Sequence, residues 1–167
     1  MKVKALILIA ALLAGPSLVQ AANINQGDVE IGGVATVNHT RSRGLGTTSF
    51  QIGANAQYFL VDHISVGAEV SYAHASSFNI YSIAPAASFY FAVQDQMAPY
   101  VMVKPLELYD SSSARLNLSS GLRLGVKFFL TDSVAFGPAL NYEHTWSTNR
   151  TSTIHSFSLL GQFSIHL

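Results

Sequence analysis

Between Ser113 and Leu130 the chain alternates with a period of two. Leu116, Leu118, Leu122, Leu124, Val126, Phe128 and Leu130 share one parity, interrupted only by Ser120. Arg115, Asn117, Ser119, Gly121, Arg123, Gly125 and Lys127 hold the other, until Phe129 breaks it. Successive side chains of a strand point to opposite faces, so this window is a strand with one apolar and one polar face. A helix would scatter Leu116, Leu118 and Leu122 around its circumference and bring Arg123 among them. The helical reading fails here.

The pattern recurs along the chain. Ser49–Leu60 sets Phe50, Ile52, Ala54, Ala56, Tyr58 and Leu60 against Ser49, Gln51, Gly53, Asn55 and Gln57. Ile64–Ala73, Ser133–Trp146 and Ser156–Leu167 alternate in the same way, and Val29–Asn38, Tyr81–Phe91 and Pro99–Tyr109 do so more weakly. Eight strands are therefore expected, with no amphipathic helix. Tight polar turns at Val61-Asp62-His63, Gln94-Asp95-Gln96 and Thr131-Asp132 alternate with the Ser-, Thr- and Asn-rich loops His39–Thr48, His74–Asn79, Asp110–Ser113 and Ser147–Ser152. That order describes four hairpins in an up-and-down meander. Pro85, Pro105 and Pro138 fall inside the expected strands. Each lacks a ladder donor, so bulges or strand ends are expected to absorb them.

Composition narrows the function. Only 11% of residues are charged, with nine basic and nine acidic side chains and no cysteine. Soluble domains carry about twice that charged fraction. The absence of Cys removes disulfide frameworks, thiolate metal sites and cysteine nucleophiles, and balanced charge without a basic run argues against a nucleic-acid partner. The chain opens with Lys2 and Lys4, the apolar run Ala5–Ala14, a Gly15-Pro16 break and Val19-Gln20-Ala21. These are the parts of a secretory signal in their required order, so residues 1–21 read as a cleaved signal peptide and 22–167 as the exported domain. The apolar run is too short for a helical span, which takes about 20 residues.

Alternation does not by itself say which face meets water. The polar parity is built from Gly, Ser, Ala, Asn and Gln with few charges, which suits a narrow lumen better than a hydrated exterior. The apolar parity is too bulky to crowd into such a lumen. Aromatic residues gather beside the tight turns, at Tyr58, Phe59, Phe89 to Phe91, Tyr100, Phe128, Phe129, Phe136 and Phe163, which reads as an interfacial girdle. Strands of about ten residues match a tilted membrane crossing, and closure satisfies every backbone group inside hydrocarbon. The expected fold is all-β, an eight-stranded antiparallel up-and-down transmembrane β-barrel.

The run Gly121-Leu122-Arg123-Leu124-Gly125-Val126-Lys127-Phe128-Phe129-Leu130-Thr131-Asp132-Ser133-Val134-Ala135-Phe136-Gly137 resembles the late hairpin of small bacterial outer-membrane β-barrels, the OmpX/OmpA-like group. Phe157–Leu167 resembles their C-terminal assembly signal, although this chain ends in Leu167 where most of the family ends in Phe or Trp. The resemblance implies a Gram-negative outer membrane, both termini periplasmic, and contact with outer-membrane lipids and lipopolysaccharide. It also implies the barrel assembly machinery and periplasmic chaperones as partners in biogenesis. A non-enzymatic envelope role or an extracellular ligand held by short loops fits it. The alternatives are a narrow solute or ion pathway and a lipid A-modifying hydrolase.

Candidate chemistry is sparse. Glu69, Arg123, Lys127 and Glu143 share the lumen parity, with Glu30 and Lys104 as further candidates. Charges in a packed lumen must pair, so Glu69 or Glu143 is expected to meet Arg123 in a structural network. Arg41, Arg43, Arg115 and Arg150 lie in or beside outer loops, where they either contact lipopolysaccharide phosphates or simply keep the loops polar. His39, His74, His144 and His155 lie at loop ends, His63 in a turn and His166 at the terminus. None has HExxH or close-paired spacing, so they read as polar loop residues, and no metal or cofactor is expected. Lipid A deacylase barrels resemble a His-x-Ser pair with a downstream Glu. Here His144 is followed at that spacing by Trp146, and no Glu follows Glu143. No catalytic residue is expected.

Overall fold

A computed structural model describes residues 24–42, 45–75, 78–91, 96–111, 115–146 and 153–167. Of these, 38–42, 45–47, 75, 78, 109–111, 115–117 and 153–154 are described by their backbone alone. Eight strands follow in order: β1 Val29–Ser42, β2 Leu45–Val61, β3 Ile64–Ala75, β4 Phe78–Tyr90, β5 Met97–Ser111, β6 Arg115–Phe129, β7 Val134–Trp146 and β8 Thr153–His166. Every strand pairs antiparallel with its sequence neighbour, and β8 closes on β1 to complete a barrel. The eight strands and their meander agree with the alternation. The strands run further than expected, however. β1 and β2 continue through most of the segment His39–Thr48, with Ser42 opposite Leu45. Polar Ser, Thr and Asn residues extend a ladder as readily as they form a loop once a neighbouring strand supplies their backbone partners.

The closing seam pairs Glu30 with His166 and continues to Ala35 opposite Gly161. Val29 and Leu167 exchange backbone bonds of 3.0 and 2.8 Å beside it, so both ends of the barrel domain lie at the tight-turn end. There the β2–β3 turn is made by Asp62 and His63, the latter at φ 68°, a left-handed conformation that His tolerates better than a branched residue.

The prolines sit where the ladder can spare them. Pairing of β4 with β5 shifts register between Ile83 and Ala87, around Pro85, and pairing of β5 with β6 shifts between Lys104 and Glu107, around Pro105. At Pro138 no register is lost, but the β6–β7 pairs resume only at Phe128 opposite Phe136 after Gly125 opposite Ala139. Pro85, Pro105 and Pro138 all lie on the outer wall, where a missing donor or a bulge disturbs no packed lumen residue.

Burial inverts the arrangement of a soluble protein. Leu140 and Leu159 are 62% and 65% exposed, whereas Lys104 and Arg123 are 1% and 3% exposed. The outer wall is apolar and the interior is charged and hydrogen-bonded. Glycine makes room for the large interior groups. Gly125 lies opposite Tyr100, and a Cβ there would come within 2.6 Å of the Tyr100 ring. Gly121 likewise accommodates the Lys104 stem. A small residue beneath a large cross-strand neighbour is how a narrow barrel fills its lumen without strain.

The aromatic residues divide between the two faces. Tyr58, Phe89, Phe91, Phe136 and Phe163 point outward as girdle residues do, but Phe59, Tyr90, Tyr100 and Phe129 are buried inside. Placing these four in the girdle is therefore incorrect. They sit on the lumen parity near the turn end, and with Ile24, Ala86, Ala98, Met102 and Ala135 they form an apolar plug. Clustering beside turns locates an aromatic residue along the strand axis and leaves its face undetermined.

Candidate functional site: a charged lumen

The lumen holds two polar layers. Nearest the plug, Lys127 of β6 forms an ion pair with Glu30 of β1. Tyr90 donates to Glu30 Oε2 at 2.5 Å, and the Lys127 ammonium donates to the Tyr90 hydroxyl at 2.7 Å. The same ammonium lies 5.0 and 5.4 Å from the ring centres of Tyr90 and Tyr100, close enough for cation–π attraction. His166 is buried here, its Nε2 3.6 Å from Glu30 Oε2. Its ring packs against Phe59 and Phe129. Reading His166 as a polar terminal residue is therefore incorrect, because the β1–β8 ladder carries it inward opposite Glu30. Beside this layer Gln57 Oε1 accepts hydroxyl bonds from Ser65 and Ser88, both 2.7 Å.

The second layer centres on Glu69 of β3. Arg123 grips it with both terminal nitrogens, Nη1 to Oε2 at 2.7 Å and Nη2 to Oε1 at 2.8 Å. This fork-on-carboxylate geometry is the strongest form of the ion pair. Lys104 of β5 reaches Glu69 at 3.4 Å, Glu107 at 3.0 Å and Glu143 at 3.3 Å. Asn141 donates to Glu143 at 2.8 Å, and the Ser119 hydroxyl donates to Glu107 at 3.4 Å. One ammonium is thus shared by three carboxylates. Above this layer a polar cavity of about 170 Å³, lined by Gln51, Ser71, Ser82, Glu107, Glu143 and Thr145 among others, opens towards the loop end.

Of the residues singled out by parity, Glu69, Arg123 and Glu143 come together and Lys127 lies apart with Glu30. Arg123 takes Glu69, and Glu143 takes Lys104. Glu107 went unnoticed in the sequence because the bulge at Pro105 lets two consecutive residues, Pro105 and Leu106, face outward. That reverses the parity of everything after Lys104. Arg43 and Arg150 lie outside the described residues, as do the side chains of Arg41 and Arg115 and the segment 1–21. Among the described residues no group of three or more His, Cys, Asp or Glu is arranged to hold a metal ion.

The architecture recurs in solved structures. Neisserial surface protein A shares 18% identity at a TM-score of 0.67, covering 84% of this chain and 97% of its own. The N-terminal β-barrel domain of Pseudomonas aeruginosa OprF shares 13% at 0.65, covering 86% and 99%. The outer membrane enzyme PagL shares 13% at 0.58, covering 81% and 98%. At such identities the likeness is one of fold. No curated protein sequence matches the chain. Residues 7–163 match the family model described as outer membrane protein beta-barrel domain. The chain belongs to that family, and its apolar wall and closed sheet make it an integral β-barrel of the Gram-negative outer membrane.

Proposed function

We propose that this protein is a non-enzymatic structural or surface-interaction component of the envelope, whose lumen charges hold the barrel together and conduct nothing. The observation that supports this best is the filled lumen. The apolar cluster around Phe59, Tyr90, Tyr100 and Phe129 packs around the Glu30–Lys127 layer and reaches Arg123 through Met102, next to the Arg123–Glu69–Lys104 layer. An ion following the axis would have to displace both buried ion-paired layers together with the apolar side chains packed around them, at high cost. In this reading residues 1–21 are the export signal, the barrel assembly machinery and periplasmic chaperones deliver the chain, and Arg41, Arg43, Arg115 and Arg150 meet lipopolysaccharide phosphates at the loop end.

The fold alone does not separate this chain from PagL, which is an enzyme. At the late hairpin the residues differ, since two positions after His144 stands Trp146, which cannot act as a nucleophile. The spacing does occur at His63-Ile64-Ser65, where Ser65 is buried and donates to Gln57 Oε1, and at His74-Ala75-Ser76, so the lipid A measurement below decides between the two readings. Two measurements test the proposal together. Reconstituted protein in planar bilayers is expected to give no discrete conductance, and lipid A from expressing cells is expected to keep its acyl chains by mass spectrometry. Steady channel openings would establish the pathway reading, and loss of an acyl chain the hydrolase reading.

A further inference from the structure

The loop end of the β7–β8 hairpin carries a feature outside the lumen. His144 and His155 are eleven positions apart in sequence, yet they stand directly opposite each other in the ladder. Both project from the outer wall, as do Tyr142, Trp146 and Phe157 on the same parity. The two Nδ1 atoms lie 3.4 Å apart, with ring centres at 4.8 Å. The Tyr142 hydroxyl also meets His155 Nδ1, at 2.7 Å. A neutral imidazole Nδ1 holds either one hydrogen or one lone pair. His155 Nδ1 therefore serves two neighbours with one hydrogen or one lone pair.

We propose that His144 and His155 form a two-histidine chelate for Zn²⁺, the imidazole-binding divalent ion that takes tetrahedral coordination. The spacing suits it. Two imidazole nitrogens bound to one tetrahedral ion at about 2.0–2.1 Å stand about 3.3–3.4 Å apart, which is the separation found here. The ion takes the place of the shared hydrogen, and the Tyr142 hydroxyl gives up its bond to His155 Nδ1 so that both Nδ1 lone pairs reach the ion. The rings are held for this purpose. Trp146 packs edge-on against His144 at 4.7 Å, and Tyr142 stacks on His155 at 6.0 Å. Trp146, Tyr142 and Phe157 mark the interfacial level of the wall, so the remaining coordination positions face headgroups and water and exchange freely.

The test is Zn²⁺ titration of untagged protein purified from outer membranes in detergent, read by isothermal titration calorimetry. One equivalent is expected to bind. His144→Asn and His155→Asn should each weaken it by about tenfold or more, whereas His74→Asn, on another hairpin, should leave it unchanged. Binding that survives either single substitution, or that vanishes equally in His74→Asn, overturns the site. Heat-modifiable gel migration checks that each variant is folded. If one fails to fold, the native protein still decides: Zn²⁺ should shield His144 and His155 from diethylpyrocarbonate while His74 stays reactive, and equal labelling with and without Zn²⁺ overturns the proposal.

Discussion

Replacing Arg123 by Leu removes the centre of the upper lumen layer. The guanidinium makes two bonds to Glu69, at 2.7 and 2.8 Å, and both side chains are 3% exposed. After the substitution Glu69 keeps, among the described residues, only Lys104 at 3.4 Å, and that ammonium already serves Glu107 and Glu143. Breaking a buried pair from one side costs about 3–5 kcal/mol, because the surviving charge stays buried and poorly compensated. The remaining Lys104 contact places Arg123→Leu near the lower end, at about 3 kcal/mol. Removing both partners, as Glu69→Leu with Arg123→Leu, takes away the orphaned carboxylate and should return to within about 1 kcal/mol of the native protein. Equilibrium unfolding in urea from lipid or detergent measures both variants. Trp146, the single tryptophan, sits on the outer wall and reports insertion by its fluorescence. If Arg123→Leu lost less than about 1 kcal/mol, or the double variant were worse than the single, the network would not be what stabilises the lumen.

Five further substitutions probe the two faces and the spacing between strands. Leu159→Arg places a charge on the lipid-facing wall and should cost about 2–4 kcal/mol in the same unfolding assay, depending on depth; a neutral result would refute the outward assignment. Phe59→Ala empties part of the plug and should cost about 3–5 kcal/mol. Phe157→Ala, 79% exposed, removes a ring that lipid can replace, and is expected to lose less than about 1 kcal/mol by the same measurement. Gly67→Ala would bring a Cβ within 1.9 Å of the Ala56 carbonyl oxygen, forcing β2 and β3 apart at a cost of about 1–3 kcal/mol. Gly161→Ala meets nothing closer than 3.9 Å and should leave the midpoint within about 0.5 kcal/mol of native.

Much of the barrel is legible in the chain because strand periodicity is local. Leu118, Leu122 and Leu124 against Ser119, Arg123 and Lys127 need only neighbouring residues to declare two faces, and eight such windows with alternating turns leave few topologies. The same locality explains the misreadings. Phe59 and Tyr90 lie beside turns like true girdle residues, and only a shift of one position decides whether a ring meets lipid or lumen. Glu107 escaped notice because Pro105 introduces a bulge, and a bulge cancels parity from that point onward.

Amino-acid order by itself determined that the chain is a low-charge β-protein with bulky apolar positions on one side of each strand, since hydrophobic alternation is a property of short segments. The tertiary structure alone decided which charges meet. Arg123 could have taken Glu69 or Glu143, and the register across β3, β5, β6 and β7 gave it Glu69 while leaving Glu143 to Lys104. It also brought His144 face to face with His155 across a hairpin. Partner choice depends on ladder register and barrel closure, which sum over contacts between distant segments and so have no signature in any one of them.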